Sequence, residues 1–290
     1  MATEETILSD YKFETLRVTS PQQFVYHVEL NRPNKMNAMS KRFFRELTEC
    51  FNRIARDSDC RVVVVSAAGR MFTAGLDLTD SAFLSEIGSN PGTDDEDTDA
   101  ARKAMAIYHV VPTLQESMTS IEKCLKPVIA AVHGACVGGG VDLVSACDIR
   151  MCSKDAWFSI KEVDIGVSAD VGTLQRFPKV VGNDSLVREL AYTSRALRTE
   201  EAKELGFVSQ TFPDKESLIN GAMELATHIA SKSPVAVQGT KANLVYSRDH
   251  SVQEGLDYVK TWNMAMLQTE DMIKAVTARL QKEQAKFSKL

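Results

Sequence analysis

Pro127-Val128-Ile129-Ala130-Ala131-Val132-His133-Gly134-Ala135-Cys136-Val137-Gly138-Gly139-Gly140-Val141-Asp142-Leu143 is the stretch whose pattern decides the fold. Residues 127–132 are an unbroken apolar run, as expected of a strand covered on both faces. Three glycines separate that run from a helix predicted over 141–147. Upstream, Arg61-Val62-Val63-Val64-Val65-Ser66 reads as a second covered strand, and Phe24, Tyr26 and Val28 alternate as a third. Ser40 is placed to N-cap a helix to about Arg56, with Phe43, Phe44, Leu47, Phe51 and Ile54 at helical spacing. A further helix is predicted over 113–125, and short strands over 149–152 and 156–160. Helices alternating with strands predict an α/β architecture with right-handed crossovers.

Beyond about Lys215 the strand signals stop. Helices are predicted near 217–231, 234–246 and 252–284. In the last, Leu256, Tyr258, Val259, Trp262, Met264, Met266, Leu267, Ile273, Val276 and Leu280 cover more than one face. A helix apolar on several sides predicts burial against its own core and against another subunit. Two parts are therefore expected, a core over 1–214 and a helical oligomerisation region over 215–290. Residues 89–99, with Asn90-Pro91-Gly92 and five acids from Asp94 to Asp99, read as a solvated loop, with a lid as the sharper alternative.

The 290 residues carry a net charge of −5, with 44% hydrophobic and 25% charged residues, so a substantial core is available. No overall positive field exists to draw nucleic acid. No apolar run approaches the ~20 residues that span a bilayer. The six cysteines lack CxxC spacing and read as small core residues. Met1-Ala2-Thr3-Glu4-Glu5-Thr6 is acidic and fits neither a secretory signal nor a mitochondrial presequence. Ser288-Lys289-Leu290 matches the peroxisomal import tripeptide, on a polar tail expected to fray where an import receptor can read it.

Three constellations bear on chemistry. Gly138-Gly139-Gly140 lets a ligand approach backbone at a helix start, where unpaired N–H groups are presented; a tight strand–helix turn is the plain alternative. Phe72-Thr73-Ala74-Gly75-Leu76-Asp77 is a loop of mostly small residues that can turn an amide toward a ligand, or simply a strand exit. Asp142, Glu162 and Asp170 lie among apolar and glycine residues. Asp142 can favour its own helix dipole, Glu162 can be an exposed strand-end acid, and Asp170 can cap a helix near Thr173. If the three meet, burial and mutual repulsion raise at least one pKa and set an acid beside a base. The histidines lack a nucleophile-elbow partner, and His133 reads as a structural hydrogen-bonder.

Taken together, these stretches resemble the enoyl-CoA hydratase/isomerase (crotonase) superfamily over almost the whole chain. The matching residues are Asn31-Arg32-Pro33 with Asn37-Ala38, 72–77, 134–143 with Cys147-Asp148, and Gly172-Thr173-Leu174-Gln175-Arg176. The resemblance implies a crotonase-like spiral of ββα turns, a C-terminal helical region that builds homotrimers or homohexamers, and acyl-CoA substrates. It implies an oxyanion hole from the amides of Leu76 and Gly139, with Thr73, Ala74, Gly75, Leu76 and Asp77 lining the channel. The acid set Asp142, Glu162 and Asp170 is similar to that of the branch that isomerises 3,5-dienoyl-CoA to 2,4-dienoyl-CoA in fatty-acid β-oxidation. Hydratases generally carry a second Glu where Asp142 stands and no acid at Asp170. No metal or cofactor is expected beyond the coenzyme A of the substrate. An enoyl-CoA hydratase is the nearest alternative, and a non-catalytic or RNA-binding paralogue the remote one.

Overall fold

The computed structural model describes residues 6–81, 83 and 99–290. Most of the acidic loop expected over 89–99 lies outside them. The elements in chain order are β1 (Thr6–Lys12), β2 (Leu16–Gln22), β3 (Val25–Leu30), α1 (Lys41–Arg56), β4 (Val62–Ala67), α2 (Ala100–Lys123), β5 (Val128–Val132), β6 (Ala135–Val137) and α3 (Gly139–Ala146). There follow β7 (Ile149–Ser153), β8 (Trp157–Ser159), α4 (Thr173–Val181), α5 (Asp184–Thr193), β9 (Leu197–Arg198), α6 (Thr199–Glu204) and β10 (Gln210–Phe212). The chain closes with α7 (Lys215–Ala230), α8 (Pro234–Ser247), α9 (Val252–Met266) and α10 (Asp271–Gln281).

Seven strands form the main sheet in the order β1-β2-β3-β4-β5-β7-β10. The first three pair antiparallel, and β3 to β10 are parallel. A small second sheet holds β6, β8 and β9. The apolar runs alternate between two covers, as the period of a strand requires. Val63, Val65, Val128 and Ala130 join the core that includes Phe43, Leu47, Phe51 and Ile54 of α1. Val62, Val64, Ile129 and Ala131 pack instead with Leu218, Ala222 and Ala226 of α7. So α7, beyond the boundary expected at 214/215, is a cover of the sheet.

The structure departs from the sequence expectations at several elements. β1 and β2 have no counterpart among the predicted strands: buried and exposed positions do not alternate strictly along β2, and its pairing with β1 shifts register. The helix expected over 113–125 begins at Ala100, capped by Asp99, and carries Pro112 inside it. The helix expected over 252–284 is two, α9 and α10, parted after Met266. Their Leu256, Met264, Leu267, Ile273, Val276 and Leu280 are exposed. The final residues are pinned rather than frayed. Arg61 Nη2 donates to the carbonyls of Phe287 (2.8 Å) and Ser288 (3.2 Å), and Lys289 pairs with Asp59. All six cysteines are buried and free. No helix among the described residues is long and apolar enough to cross a membrane.

One buried cation holds the α1–β5 junction. Lys126 is 2% exposed, and its Nζ donates to the carbonyls of Ile54 (2.7 Å), Ala55 (3.1 Å) and Asp57 (2.6 Å) at the end of α1. Lys126→Met leaves those acceptors without this donor and is expected to cost about 3 kcal/mol. Urea denaturation monitored by circular dichroism measures the loss; an unchanged midpoint would refute the role.

Candidate active site

The segments that follow β3, β4 and β5 meet beyond the carboxyl ends of those strands, where open α/β sheets place their ligands. The loop after β4 is stitched on both sides. Met39 N–H donates to Gly75 O (2.8 Å) and Asp77 N–H to Met39 O (3.0 Å); across the loop, Thr73 N–H donates to Ala135 O (3.0 Å) and Val137 N–H to Thr73 O (3.2 Å). Ala74 N–H goes to Met36 O, and Gly75 N–H to the Thr73 hydroxyl. Every amide from Thr73 to Asp77 is therefore engaged except that of Leu76, which has no partner among the described residues.

The neighbouring strand exit behaves likewise. Gly138 N–H donates to Ser159 O (2.9 Å), whereas Gly139, the first residue of α3, has no acceptor for its amide among the described residues. The two backbones touch: a Cβ built on Gly75 would lie 3.8 Å from Gly138 Cα. Two unspent N–H groups thus follow directly on a close contact between loops.

The other loop residues shape this arrangement. Thr73 is wholly buried, its hydroxyl donating to Asn37 O (2.8 Å). Asp77 is buried too, pairing with Arg32 (3.0 Å), which in turn donates to Ala38 O. Thr73 and Asp77 hold the loop from behind, while Ala74 and Leu76 are half-buried at its surface. His133 is structural: its Nε2 lies 3.0 Å from Gly69 O.

The three acids come together electrostatically. Asp142, in the first turn of α3, is 1% exposed, and its Oδ1 accepts the Thr173 amide at 2.5 Å where α4 begins. The sequence offers Asp170 as the cap of that helix. Gly172 holds the cap position instead, and the amide goes to Asp142. The Asp142 carboxylate therefore sits at two helix N-termini, both of which favour its charge. Burial still pushes it up to about 6, the Asp170 charge adding to the push while the Thr173 bonds and Arg176 pull it back.

Glu162 opens a short 3₁₀ turn over Glu162–Ile165. Its Oε1 lies 3.2 Å from where a Cβ on Gly138 would stand, beside the glycine turn. Its Oε2 is buried without a hydrogen-bond partner among the described residues. Burial first, and the charges of Asp142 and Asp170 next, push this carboxyl up to about 7. Asp170, on the loop before α4, is more open to solvent, and burial raises it as well. Gln115 of α2 donates to Asp170 O at 2.8 Å, holding that loop.

The arrangement sets two amides without partners among the described residues beside an acid that is half-protonated near neutral pH and a second, more exposed acid. Such a site can polarise a carbonyl, withdraw a proton next to it and return one elsewhere. Sequence reasoning missed the parts played by Gln115 and Met39, because neither belongs to a motif and their contacts are long-range. The only signal for Met39 was its place after Asn37-Ala38.

A family model described as enoyl-CoA hydratase/isomerase matches residues 20–289. The Δ(3,5)-Δ(2,4)-dienoyl-CoA isomerase of Rattus norvegicus, mitochondrial, is 58% identical over 98% of this chain and 85% of its own length. The Arabidopsis thaliana protein of the same name, peroxisomal, is 44% identical over 98% of this chain and 99% of its own. Among solved structures, the enoyl-CoA hydratase of Bacillus anthracis superposes with a TM-score of 0.83 at 28% identity, covering 94% of this chain and 99% of that one.

Proposed function

Because the chain belongs to the enoyl-CoA hydratase/isomerase family, we propose that it isomerises 3,5-dienoyl-CoA to 2,4-dienoyl-CoA. Identity of 58% to the rat isomerase, against 28% to the B. anthracis hydratase, favours isomerisation over hydration. The observation that carries the reading is the third acid. Asp170 stands with Asp142 and Glu162, and a third carboxyl in a partly dry pocket is costly unless it is used.

In this scheme the thioester oxygen accepts hydrogen bonds from the amides of Leu76 and Gly139, which stabilise the enolate formed as the C2 proton leaves. Asp170, the more exposed acid, takes that proton. The electron pair then moves along the chain: C2=C3 forms, the C3=C4 and C5=C6 bonds become C4=C5, and C6 takes a proton from Glu162. Glu162 suits the donor role because it keeps its proton to about pH 7. Asp142, anchored by Thr173, tunes Glu162 from behind. Coenzyme A enters as part of the substrate, and no other cofactor is needed.

The decisive assay offers purified protein 3,5-dienoyl-CoA and, separately, trans-2-enoyl-CoA. Conjugated 2,4-dienoyl product from the first is expected; hydration of the second with no turnover of the first would overturn the reading. The pH profile is a second check. Activity needs Glu162 protonated and Asp170 ionised in the free enzyme. kcat/KM is therefore expected to fall above about pH 7 as Glu162 loses its proton, and to fall again at acid pH as Asp170 gains one. A profile flat from pH 6 to 9 would remove Glu162 as the acid.

The exposed apolar faces of α9 and α10 support assembly with further copies, a trimer or hexamer being the expected form. For location we carry the peroxisomal reading, supported by Ser288-Lys289-Leu290 and by the Arabidopsis relative, while the rat relative is mitochondrial.

A further inference from the structure

Arg176, in the first turns of α4, is 9% exposed. Its Nη1 occupies the space directly over Gly172, 2.0 Å from where a Cβ there would lie. Its other nitrogens are held by α2: Nε and Nη2 reach Glu122 at 3.3 and 3.2 Å, and Nη2 donates to Thr119 at 3.1 Å. Glu122 also takes Arg248, just past α8, at 2.5 Å. The planar fork of an arginine can satisfy this geometry and a lysine cannot.

We propose that Arg176 is a positioning residue for the reaction: clamped to Glu122, it locks the Gly172-Thr173 turn, so that Thr173 meets Asp142 and Asp170 is held at a set distance from both other acids. This rests on the isomerase reading for its consequence in turnover, though not for its effect on the acids themselves. The charge has a second consequence. Asp142 is faced by Arg176 and Thr173 from α4, by Asp170 from the loop, by Glu162 from the 3₁₀ turn and by Cys136 from β6. Of these Arg176 alone is a cation. It favours ionised Asp142, and ionised Asp142 in turn keeps the proton on Glu162.

The sign follows. In Arg176→Gln, Asp142 keeps its proton to higher pH; neutral Asp142 then repels Glu162 less, and Glu162 releases its proton at lower pH. The alkaline limb of the kcat profile, set by Glu162, moves to lower pH by about one unit. The acid limb, set by Asp170, does not move inward, and kcat at pH 7 falls about tenfold or more with KM within about twofold. Arg176→Lys keeps a charge without the fork, so its limbs stay near wild type while kcat is lowered. Arg248→Gln removes the other partner of Glu122 and is expected to leave the profile and kcat within about twofold. The proposal is overturned if Arg176→Gln keeps the wild-type profile, or if Arg248→Gln reproduces all of its effects, since either result makes Arg176 a staple like any other. ¹³C titration of the Asp142 and Glu162 carboxyls in wild type and Arg176→Gln needs no substrate. An unchanged titration refutes the coupling whatever the enzyme turns over, whereas a shifted one in a protein inactive on 3,5-dienoyl-CoA supports the coupling and refutes the substrate.

Discussion

Glu162→Gln is expected to lower turnover of 3,5-dienoyl-CoA by about 10²–10⁴, with binding of the CoA ester nearly unchanged. The amide has the size of the acid but no proton to deliver at C6. Asp170→Asn is expected to lose as much, for the opposite reason. The two variants separate in deuterated water. With Glu162 gone, Asp170 still lifts and returns the C2 proton, so unreacted substrate gains deuterium at C2 without isomerising. With Asp170 gone, neither event occurs. Mass spectrometry of recovered substrate reads the difference, and exchange retained in Asp170→Asn but lost in Glu162→Gln would reverse the two roles. Full activity in both would remove the pair from the mechanism.

The same substitution has a stability signature. Glu162 is raised in the folded chain, from 4.5 to about 7. Its ionisation is thus harder folded than unfolded, and stability falls as pH rises through that window. Glu162→Gln is free of this penalty. It is expected to melt above wild type at pH 8 and to converge with it below about pH 4.5, measured by calorimetry. A catalytic carboxyl that burdens the fold is a common form of the trade between stability and activity.

Gly75→Ala carries the second large effect. Gly75 has φ +88°, and a Cβ there would lie 2.9 Å from the carbonyl oxygen of Val137. That oxygen is main chain at the end of β6 and has little room to yield. The conformation alone costs an alanine about 1–2 kcal/mol, and the collision forces the loop off its neighbour. The Leu76 amide moves with it, so kcat is expected to fall about 10²–10³, the loss typical of one oxyanion donor. Gly206→Ala supplies the comparison, with φ +74° and open space around it; it should lose stability but keep its turnover. Equal activities for the two variants would show that the Leu76 amide is not a donor to the substrate.

Much of this protein was legible before folding was considered. Unbroken valine runs determine a covered parallel sheet, because only a strand shielded on both faces tolerates such a sequence. The periodicity of Phe43, Phe44, Leu47, Phe51 and Ile54 determines α1, since one face of a helix must be apolar to pack. The glycine turn and the small residues of 72–77 mark where backbone is exposed to a ligand. Three things were settled only by the tertiary structure. The Leu76 amide has no partner among the described residues, while the amides around it are taken by Met36, Met39, Ala135 and the Thr73 hydroxyl. Asp142, rather than Asp170, receives the Thr173 amide, although the two positions are 31 residues apart. Glu162 is pushed up to about 7 by burial and by acids far from it in the chain. Local patterns fix which segments are strands or helices, because those depend on neighbours within a turn or two. Charge, proton affinity and free hydrogen-bonding capacity depend on what the fold brings within a few ångströms, and no periodicity along the chain encodes that.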